Sequence, residues 1–128
     1  MNLLLDTHTF IGWSAKSTQL SARVLTLLHH RANRLVFSLA SIWEMQIKIQ
    51  SGKLSLPAPL PKIIATQQQT NRLELLPVVL PHVLALEGLP SHHKDPFDRL
   101  LIAQAQVENL TLVSHDPMFA RYTVPVVW

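Results

Sequence analysis

The segment Leu3-Leu4-Leu5-Asp6-Thr7 has the pattern of a short buried strand that ends in an acidic residue. Consecutive apolar residues without alternation are typical of a strand covered on both faces, as in a parallel sheet. The pattern returns near the other end of the chain, where Ser114-His115-Asp116 follows the strand predicted for residues 110–113. Because parallel strands end at one edge of their sheet, we expect Asp6 and Asp116 to lie close together.

Between these segments the sequence alternates between short strands and helices. Further strands are predicted for residues 35–37, 73–78 and 124–127, the last at a sheet edge because it contains Pro125. Helices are predicted for residues 17–31, 39–50, 62–72, 81–88 and 96–109, with a helical turn from Pro117 and a proline-rich loop over 54–61. This alternation indicates an α/β fold with a mainly parallel central sheet.

The composition indicates one domain, residues 1–128, without covalent cross-links. The chain has 128 residues, 48% of them apolar and 15% charged, which is enough to bury a substantial core. It has no cysteine, which excludes disulfides and thiolate metal sites and is compatible with the cytoplasm. We predict no signal peptide and no membrane span, because the apolar runs are too short. The net charge of +3 favours a polyanionic partner weakly.

Several of the eight acidic residues lie where a helix is predicted to start. Asp6, Asp95 and Asp116 are predicted N-caps, and a proline follows each of the last two. Asp98 lies three residues after Asp95, and Glu44 three residues after Ser41, which are the spacings of a capping box. One cap contributes about 1 kcal/mol to stability, so capping is a sufficient explanation for each acid taken alone.

Capping does not explain why some of these acids have apolar neighbours. Glu44 lies among Ile42, Trp43, Met45 and Ile47, where an isolated buried carboxylate would be costly. Asp98 lies in the first turn of the most apolar predicted helix, and neutralisation by Arg99 is the structural alternative there. Converging carboxylates raise one another's pKa unless a cation shares their charge. The sequence therefore favours a shared divalent cation.

Four blocks of sequence carry a family resemblance. They are Leu3-Leu4-Leu5-Asp6-Thr7-His8, Ser38-Leu39-Ala40-Ser41-Ile42-Trp43-Glu44-Met45-Gln46-Ile47-Lys48, the stretch from Leu89 to Ala105, and Leu110-Thr111-Leu112-Val113-Ser114-His115-Asp116. The part His92-His93-Lys94-Asp95-Pro96-Phe97-Asp98-Arg99 is the most specific. In this order and spacing the blocks resemble the PIN-domain family, in particular the VapC-type toxin ribonucleases of type II toxin–antitoxin pairs.

The resemblance implies a three-layer α/β/α sandwich with a mainly parallel central sheet. It also implies catalytic, metal-binding acids at Asp6, Glu44, Asp98 and Asp116, with Asp95 either assisting as a ligand or capping its helix. Ser114 matches the Ser or Thr that the family often has two positions before the last acid, and it would support the site without touching the metal. His115, and the absence of an acid between Trp13 and Thr18, depart from the family pattern.

The activity implied by the resemblance is hydrolysis of single-stranded or looped RNA, leaving a 5′-phosphate, with one or two Mg²⁺ or Mn²⁺ ions. We expect Asp6 and Asp98 to bind metal directly, and Glu44 and Asp116 to hold metal-bound water. Lys48, Lys94 and Arg99 are candidate RNA-binding residues, with solvated charge or ion pairing as the alternative. The implied partners are a DNA-binding antitoxin that covers the active-site groove and a second copy of the chain.

Three alternatives stay open at this point. A histidine-based metal site at His92-His93 is disfavoured because both residues are predicted to lie on a loop. A PIN-type nuclease for RNA processing or for DNA would need the same acids, whereas a degenerate binding module is disfavoured by their presence.

Among the apolar residues, Trp13, Trp43 and Phe119 are candidates for the antitoxin groove or the dimer face, although core packing is preferred for Trp43.

Overall fold

The computed structural model of the protein describes residues 1–16 and 19–128. These residues form one sheet with strands β1 (Asn2–Leu5), β2 (Arg34–Ser38), β3 (Glu74–Leu76), β4 (Thr111–Val113) and β5 (Val126–Val127). The helices are α1 (Thr7–Ser14), α2 (Ala22–His29), α3 (Leu39–Gln50), α4 (Leu60–Asn71), α5 (Leu80–Ala85) and α6 (Pro96–Glu108), with 3₁₀ turns at Leu86–Gly88 and Pro117–Arg121. No helix in this described part of the chain is long and apolar enough to cross a membrane.

The sheet places the ends of its strands at a common edge. The strand order is β3-β2-β1-β4-β5, and every neighbouring pair is parallel. β1 is central, with Leu3 in register with Leu35 of β2 and with Thr111 of β4. The residues that follow β1, β2 and β4 therefore share the carboxyl edge, where ligands bind in open parallel sheets.

Successive residues of β1 point to opposite faces of the sheet and contribute to two apolar cores. Leu3 and Leu5 pack in one core with Phe10 and Phe37, whose rings stack with centroids 4.0 Å apart. Leu4 packs in the other core, which is built largely from α6 and β4. Helices thus cover both faces, which confirms the predicted α/β/α sandwich with a parallel central sheet.

Most predicted elements are confirmed, with shifts at their ends. Helix α2 begins after its N-cap Ser21, and residues 17 and 18 of the helix predicted for 17–31 lie outside the described residues. Strand β3 stops at Leu76, because Pro77 cannot donate to the ladder. The helix predicted for 62–72 starts at Leu60, and the one predicted for 81–88 divides into α5 and a 3₁₀ turn. β5 lies at the sheet edge, as predicted from its proline.

Helix α1 has no counterpart among the predicted helices. Its sequence contains Gly12 and two threonines, which are poor helix formers, so local propensity does not indicate it. It forms because Asp6 caps its first turn while Phe10 and Trp13 are buried. Tertiary packing thus overrides propensity in the element that follows the first strand.

Three aromatic side chains differ in burial from the sequence interpretation. Trp43 is 62% exposed, so its predicted core packing is wrong, whereas Trp13 and Phe119 are only 7% and 1% exposed and pack in the two apolar cores. The inward face of α3 consists of Ala40, Ser41, Glu44 and Met45. The helix therefore turns its acid inward and its tryptophan outward.

Candidate active site

Asp6 links the ends of the two central strands. It follows β1, is 5% exposed, and accepts a 2.7 Å hydrogen bond at Oδ1 from the backbone N–H of Thr9, which makes it the predicted N-cap of α1. Its Oδ2 accepts a 2.5 Å hydrogen bond from Oγ of Ser114, the residue that follows β4. Thr9 Oγ1 also donates to the carbonyl of Val113 at 3.0 Å. The Asp6 carboxylate is therefore held rigidly at the carboxyl edge of the sheet.

Glu44 reaches the same region from the second turn of α3. Its Oε1 accepts a 2.7 Å hydrogen bond from Thr7 Oγ1, and its Oε2 pairs with Lys48 Nζ at 3.2 Å. The carboxylate is buried, with 6% of the residue exposed. The predicted capping box between Ser41 and Glu44 is wrong, because Ser38 at the end of β2 caps α3. A cap has therefore no part in fixing Glu44.

Asp116 joins the cluster through Ser114. Ser114 is 2% exposed, and its Oγ accepts a 3.0 Å hydrogen bond from the Asp116 backbone N–H while donating to Asp6. Asp116 Oδ1 accepts from Met118 N at 2.9 Å, which confirms its predicted capping of the turn that begins at Pro117. Its Oδ2 points to the cluster and lies 3.3 Å from His93 Nε2.

Asp98 lies in the first turn of α6. The N-cap of this helix is Asp95, as predicted, whose Oδ1 accepts from the N–H groups of Phe97 and Asp98 at 2.8 and 3.1 Å. The predicted capping box is half formed, because the Asp95 N–H donates to His93 Nδ1 at 3.3 Å. The Asp98 carboxylate is thereby left for another partner, and its Oδ2 lies 2.9 Å from His93 Nε2.

His93 is the residue at this site that the sequence interpretation missed. Its Nδ1 accepts from the Asp95 N–H, and its Nε2 lies between Asp98 and Asp116, 2.9 and 3.3 Å from their Oδ2 atoms. The loop placement was correct, but the loop folds over the acids because the His93 N–H donates to the Tyr122 hydroxyl at 2.6 Å. One feature of the sequence could have indicated this role. His93 lies two residues before the predicted N-cap Asp95, and the chain at such a position runs towards the N-terminus of the helix.

These contacts connect the four predicted acids into one cluster. They join Glu44 to Thr7, the residue next to Asp6 in the chain, and they run from Asp6 through Ser114, Asp116 and His93 to Asp98. Asp6 and Asp116 come after β1 and β4 at the carboxyl edge, while α3 and α6 supply Glu44 and Asp98. The N-cap roles of Asp6, Asp95 and Asp116 and the clustering are therefore compatible, because each cap uses one carboxylate oxygen.

The cluster has an excess of negative charge. Burial, followed by the charges of Asp95, Glu44 and Asp6, raises the pKa of the Asp98 carboxyl from 3.8 to about 7, while His93 acts in the opposite direction and lowers it. A carboxyl with this pKa is partly protonated near neutral pH, which indicates that His93 does not fully offset the burial of Asp98 and the negative charges around it.

The donor set fits a divalent cation. One ligand atom from each of His93, Asp98 and Asp116 lies within 4.8 Å of the others. Asp6 and Glu44 lie outside this trio, and Asp6 is linked to it through Ser114, which donates to Asp6 and accepts from the Asp116 N–H. Carboxylate oxygens are the ligands that Mg²⁺ and Mn²⁺ prefer, and a cation would relieve the repulsion that raises the pKa of Asp98.

The three candidate RNA-binding cations have different surroundings. Lys48 pairs with Glu44, and Lys94 is exposed on the loop before α6. Arg99 donates to the carbonyls of Pro90 and His93 at 2.9 and 3.4 Å. Among the described residues no ion pair joins Arg99 to Asp98, so neutralisation by this arginine does not explain the half-buried acid. Arg99 instead holds the loop that carries His93.

A cavity of about 460 Å³ opens beside the cluster. Its walls include Asp6, Asp98 and Asp116, together with side chains from α1 and from the segment after β4. The aromatic and imidazole members of the wall are His8, His115, Phe119 and Trp128. A ligand in this cavity would contact the carboxylates and flat ring faces at once.

The protein thus belongs to the α/β class, and its parallel sheet gathers several carboxylates at the carboxyl edge. Such a group of acids suits the binding of a cation. The family model of the PIN domain matches residues 3–125, and the chain therefore belongs to the PIN-domain family, as the sequence blocks predicted. Comparison with curated proteins found no match.

Solved structures agree with this fold. The chain is similar to VapBC2 from Rickettsia felis bound to a DNA fragment from the promoter, with 18% identity, a TM-score of 0.75, and 100% and 99% of the two chains covered. It is also similar to FitAcB from Neisseria gonorrhoeae, with 18% identity, a TM-score of 0.66 and 98% and 96% covered. DNA-bound VapBC from Salmonella typhimurium gives 18% identity, a TM-score of 0.66 and 99% and 97% covered.

Proposed function

We propose that this chain, as one PIN domain over residues 1–128, is a metal-dependent endoribonuclease that acts in the cytoplasm as the toxin of a type II toxin–antitoxin pair. The observation that carries the nuclease proposal is the connected cluster of Asp6, Glu44, Asp98 and Asp116 beside an open cavity. Buried acids whose charges are incompletely compensated favour a cation, and a polyanion is the substrate that such a cation would attract.

Asp6 and Asp98 are the proposed direct ligands of Mg²⁺ or Mn²⁺, with Glu44 and Asp116 holding metal-bound water. When bound, such an ion lowers the pKa of a water molecule and stabilises negative charge on a phosphodiester. Ser114 would fix the Asp6 carboxylate through its 2.5 Å hydrogen bond. Asp95 is proposed as a cap, because its Oδ1 accepts from two backbone N–H groups of α6.

The toxin part of the proposal is supported by the solved complexes that share this fold. Two of them are VapBC proteins bound to DNA, from Rickettsia felis and Salmonella typhimurium. By analogy, we expect a DNA-binding antitoxin, encoded by an adjacent small reading frame, to cover the active-site groove of this chain. We also expect the chain to form a homodimer through an exposed apolar face.

The decisive experiment measures cleavage of single-stranded RNA with Mg²⁺, with Mn²⁺ and with EDTA. We expect Asp6→Asn and Asp98→Asn each to lower kcat/KM by at least about a hundredfold, because losing even an indirect support of a metal site costs about ten- to a hundredfold. Glu87→Gln is the matched control, since Glu87 is an exposed acid on the 3₁₀ turn after α5. It should retain full activity and full toxicity in a growth assay.

The outcomes separate the alternatives. Activity and toxicity that survive both aspartate substitutions would rule out the metal cluster as the site of reaction. Cleavage of duplex DNA but not RNA would favour the DNA nuclease. Absence of cleavage with retained RNA binding would favour a degenerate binding module, which the complete set of acids disfavours.

A further inference from the structure

We infer that His115 and Trp128 form a platform on which an unpaired base of the substrate stacks next to the cleaved phosphate. This inference rests on the proposed ribonuclease function and adds the residues that bind the base of the nucleotide. His115 lies between Ser114 and Asp116, and both rings line the cavity that contains Asp6, Asp98 and Asp116. His115 departs from the family pattern, so the general activity of the family leaves it unexplained.

The geometry of the two rings is that of a preformed stack. Their centroids lie 5.0 Å apart and their planes differ by 3°, so the imidazole lies parallel to the indole. His115 is exposed, whereas Trp128 is partly buried and packs against the core that contains Phe10 and Phe37. The indole thus fixes the plane of the imidazole from the protein side, and a ligand meets a ring whose orientation is already set.

The chemistry of the cavity fits a nucleotide with its base unstacked. Carboxylates at one part of the wall would hold the cation that takes the phosphate, while the ring pair offers an aromatic face to the adjacent base. Proteins that bind single-stranded nucleic acids use such faces, and the contact tolerates any base because each one has a π-face. The inference therefore predicts a requirement for a base at this position and little preference for which base it is.

The alternative is that the stack serves only to fasten the last strand to the segment after β4. A fastening role predicts loss of stability when the ring is removed, irrespective of what the substrate carries. A platform predicts a loss that depends on the presence of a base. The two roles can therefore be separated by changing the RNA as well as the protein.

The experiment compares cleavage of a single-stranded RNA oligonucleotide with that of oligonucleotides that lack one base on either side of the cleaved phosphate. With the wild-type protein and Mg²⁺, we expect one abasic substitution to raise KM by about tenfold, the effect of losing one stacked base. His115→Ala should raise KM on the intact RNA by about the same factor and should show no further loss on that abasic RNA. His115→Phe, which keeps a flat ring, should restore the wild-type values.

Two controls keep the outcome interpretable. His29→Ala removes an exposed imidazole that does not line this cavity. It should change neither the KM for the intact RNA nor the KM for the abasic RNA. Trp128 also packs against the core, so Trp128→Phe is measured in place of Trp128→Ala, with melting temperatures recorded for every variant.

The results decide between the inference and the function on which it rests. If wild type cleaves RNA but His115→Ala keeps both the KM and the abasic penalty, the platform is refuted and the nuclease stands. A lowered melting temperature with equal losses on intact and abasic RNA would assign the stack a fastening role. If wild type cleaves no RNA with either metal, the proposed function fails, and the platform fails with it.

Discussion

The raised pKa of Asp98 predicts how the stability of the metal-free protein depends on pH. Its pKa in the folded state is raised from 3.8 to about 7, with burial as the largest cause. Between these values the unfolded chain has lost the proton and the folded chain keeps it, so the contribution of Asp98 to stability falls as pH rises from 4 to 7 and is fully lost above 7. At neutral pH and above, this carboxylate opposes folding.

We therefore expect Asp98→Asn to stabilise the metal-free protein at pH 8. The gain in free energy of unfolding should be about 1–2 kcal/mol, below the full linkage limit because solvent screens a partly exposed group, and it should shrink as pH falls towards 4. Urea unfolding at several pH values measures it. Mg²⁺ should raise the melting temperature of wild type and leave that of the variant nearly unchanged. Destabilisation by Asp98→Asn at every pH would instead assign the carboxylate a structural role in α6.

Ser114 gives a second prediction for a single residue. Its buried hydroxyl donates to Asp6 and accepts from the Asp116 N–H, so Ser114→Ala leaves a buried carboxylate oxygen and a partly buried N–H without this partner. We expect a loss of about 1–3 kcal/mol in stability and of about ten- to a hundredfold in kcat/KM.

Ser41→Ala is the matched control for Ser114→Ala, because the Ser41 hydroxyl is equally buried and has no hydrogen-bond partner among the described residues. It should cost little in either measurement. If the two variants had the same stability and the same kcat/KM, Ser114 would have no role in supporting the site.

The site residues differ in how far the sequence predicts them. Asp6 and Asp116 follow predicted strands, so the parallel sheet brings them together without further information. Ser114 was predicted through the family pattern and is hydrogen-bonded to Asp6. His93 was dismissed because it lies on a loop, since the path of a loop depends on distant contacts such as the one with Tyr122. A strand end is fixed by local pattern, whereas a loop position is not.

Helix α6 makes a prediction about the role of Asp95. If Asp95 only caps, Asp95→Ala should lower the free energy of unfolding by about 0.5–2 kcal/mol and Asp95→Asn should lower it little, because Asn is an equally good cap. Asp95→Asn should also leave Mg²⁺ affinity within about threefold of wild type, since a proposed cap does not bind the metal. Titration calorimetry and thermal unfolding measure both quantities, and a large loss of Mg²⁺ affinity in Asp95→Asn would make Asp95 a ligand.

Helices α1 and α3 show where sequence patterns give the wrong element or the wrong face. α1 was not predicted because its stability comes from the Asp6 cap and from buried Phe10 and Trp13 rather than from its own propensity. The existence of α3 was predicted, but its apolar residues surround the helix and do not specify which side is buried. That is why the exposure of Trp43 could not be derived from the sequence.

At the scale of the whole molecule, α5 presents an apolar face to solvent. Leu80, Val83 and Leu84 are 67%, 47% and 62% exposed, while His82 on the inner side is fully buried and lies 2.8 Å from Glu108 of α6. The short helix is thus anchored to α6, with its apolar side uncovered, as expected of an association surface.

If the proposed homodimer uses this face, Leu84→Glu should convert the protein to a monomer in light-scattering measurements, because a buried unpaired charge opposes association. Leu25→Glu on α2, where the leucine is 36% exposed, is the control and should leave the oligomeric state unchanged. A Leu84→Glu protein that still dimerises would exclude α5 as the dimer face.

The outer side of α3 presents a second apolar surface, and it lies beside the acids. Leu39, Trp43 and Ile47 follow one another at four-residue spacing and are 41%, 62% and 42% exposed. Trp43 packs edge-on against Phe97, with the ring centroids 5.2 Å apart. Phe97 is the residue that precedes Asp98 in the chain. An apolar antitoxin segment on this stripe would therefore pass the entrance to the cluster.

We expect Trp43→Ala to weaken antitoxin binding by about tenfold or more, because exposed tryptophans are frequent hot spots of interfaces. The variant should keep its melting temperature and its RNA cleavage, since the side chain is mostly in solvent and is not among the acids. Cleavage by Trp43→Ala should then resist inhibition by antitoxin, whereas cleavage by Leu84→Glu should remain fully inhibited. The reverse pattern, with α5 needed for inhibition and α3 needed for self-association, would exchange the two surfaces while leaving the acidic site where it is.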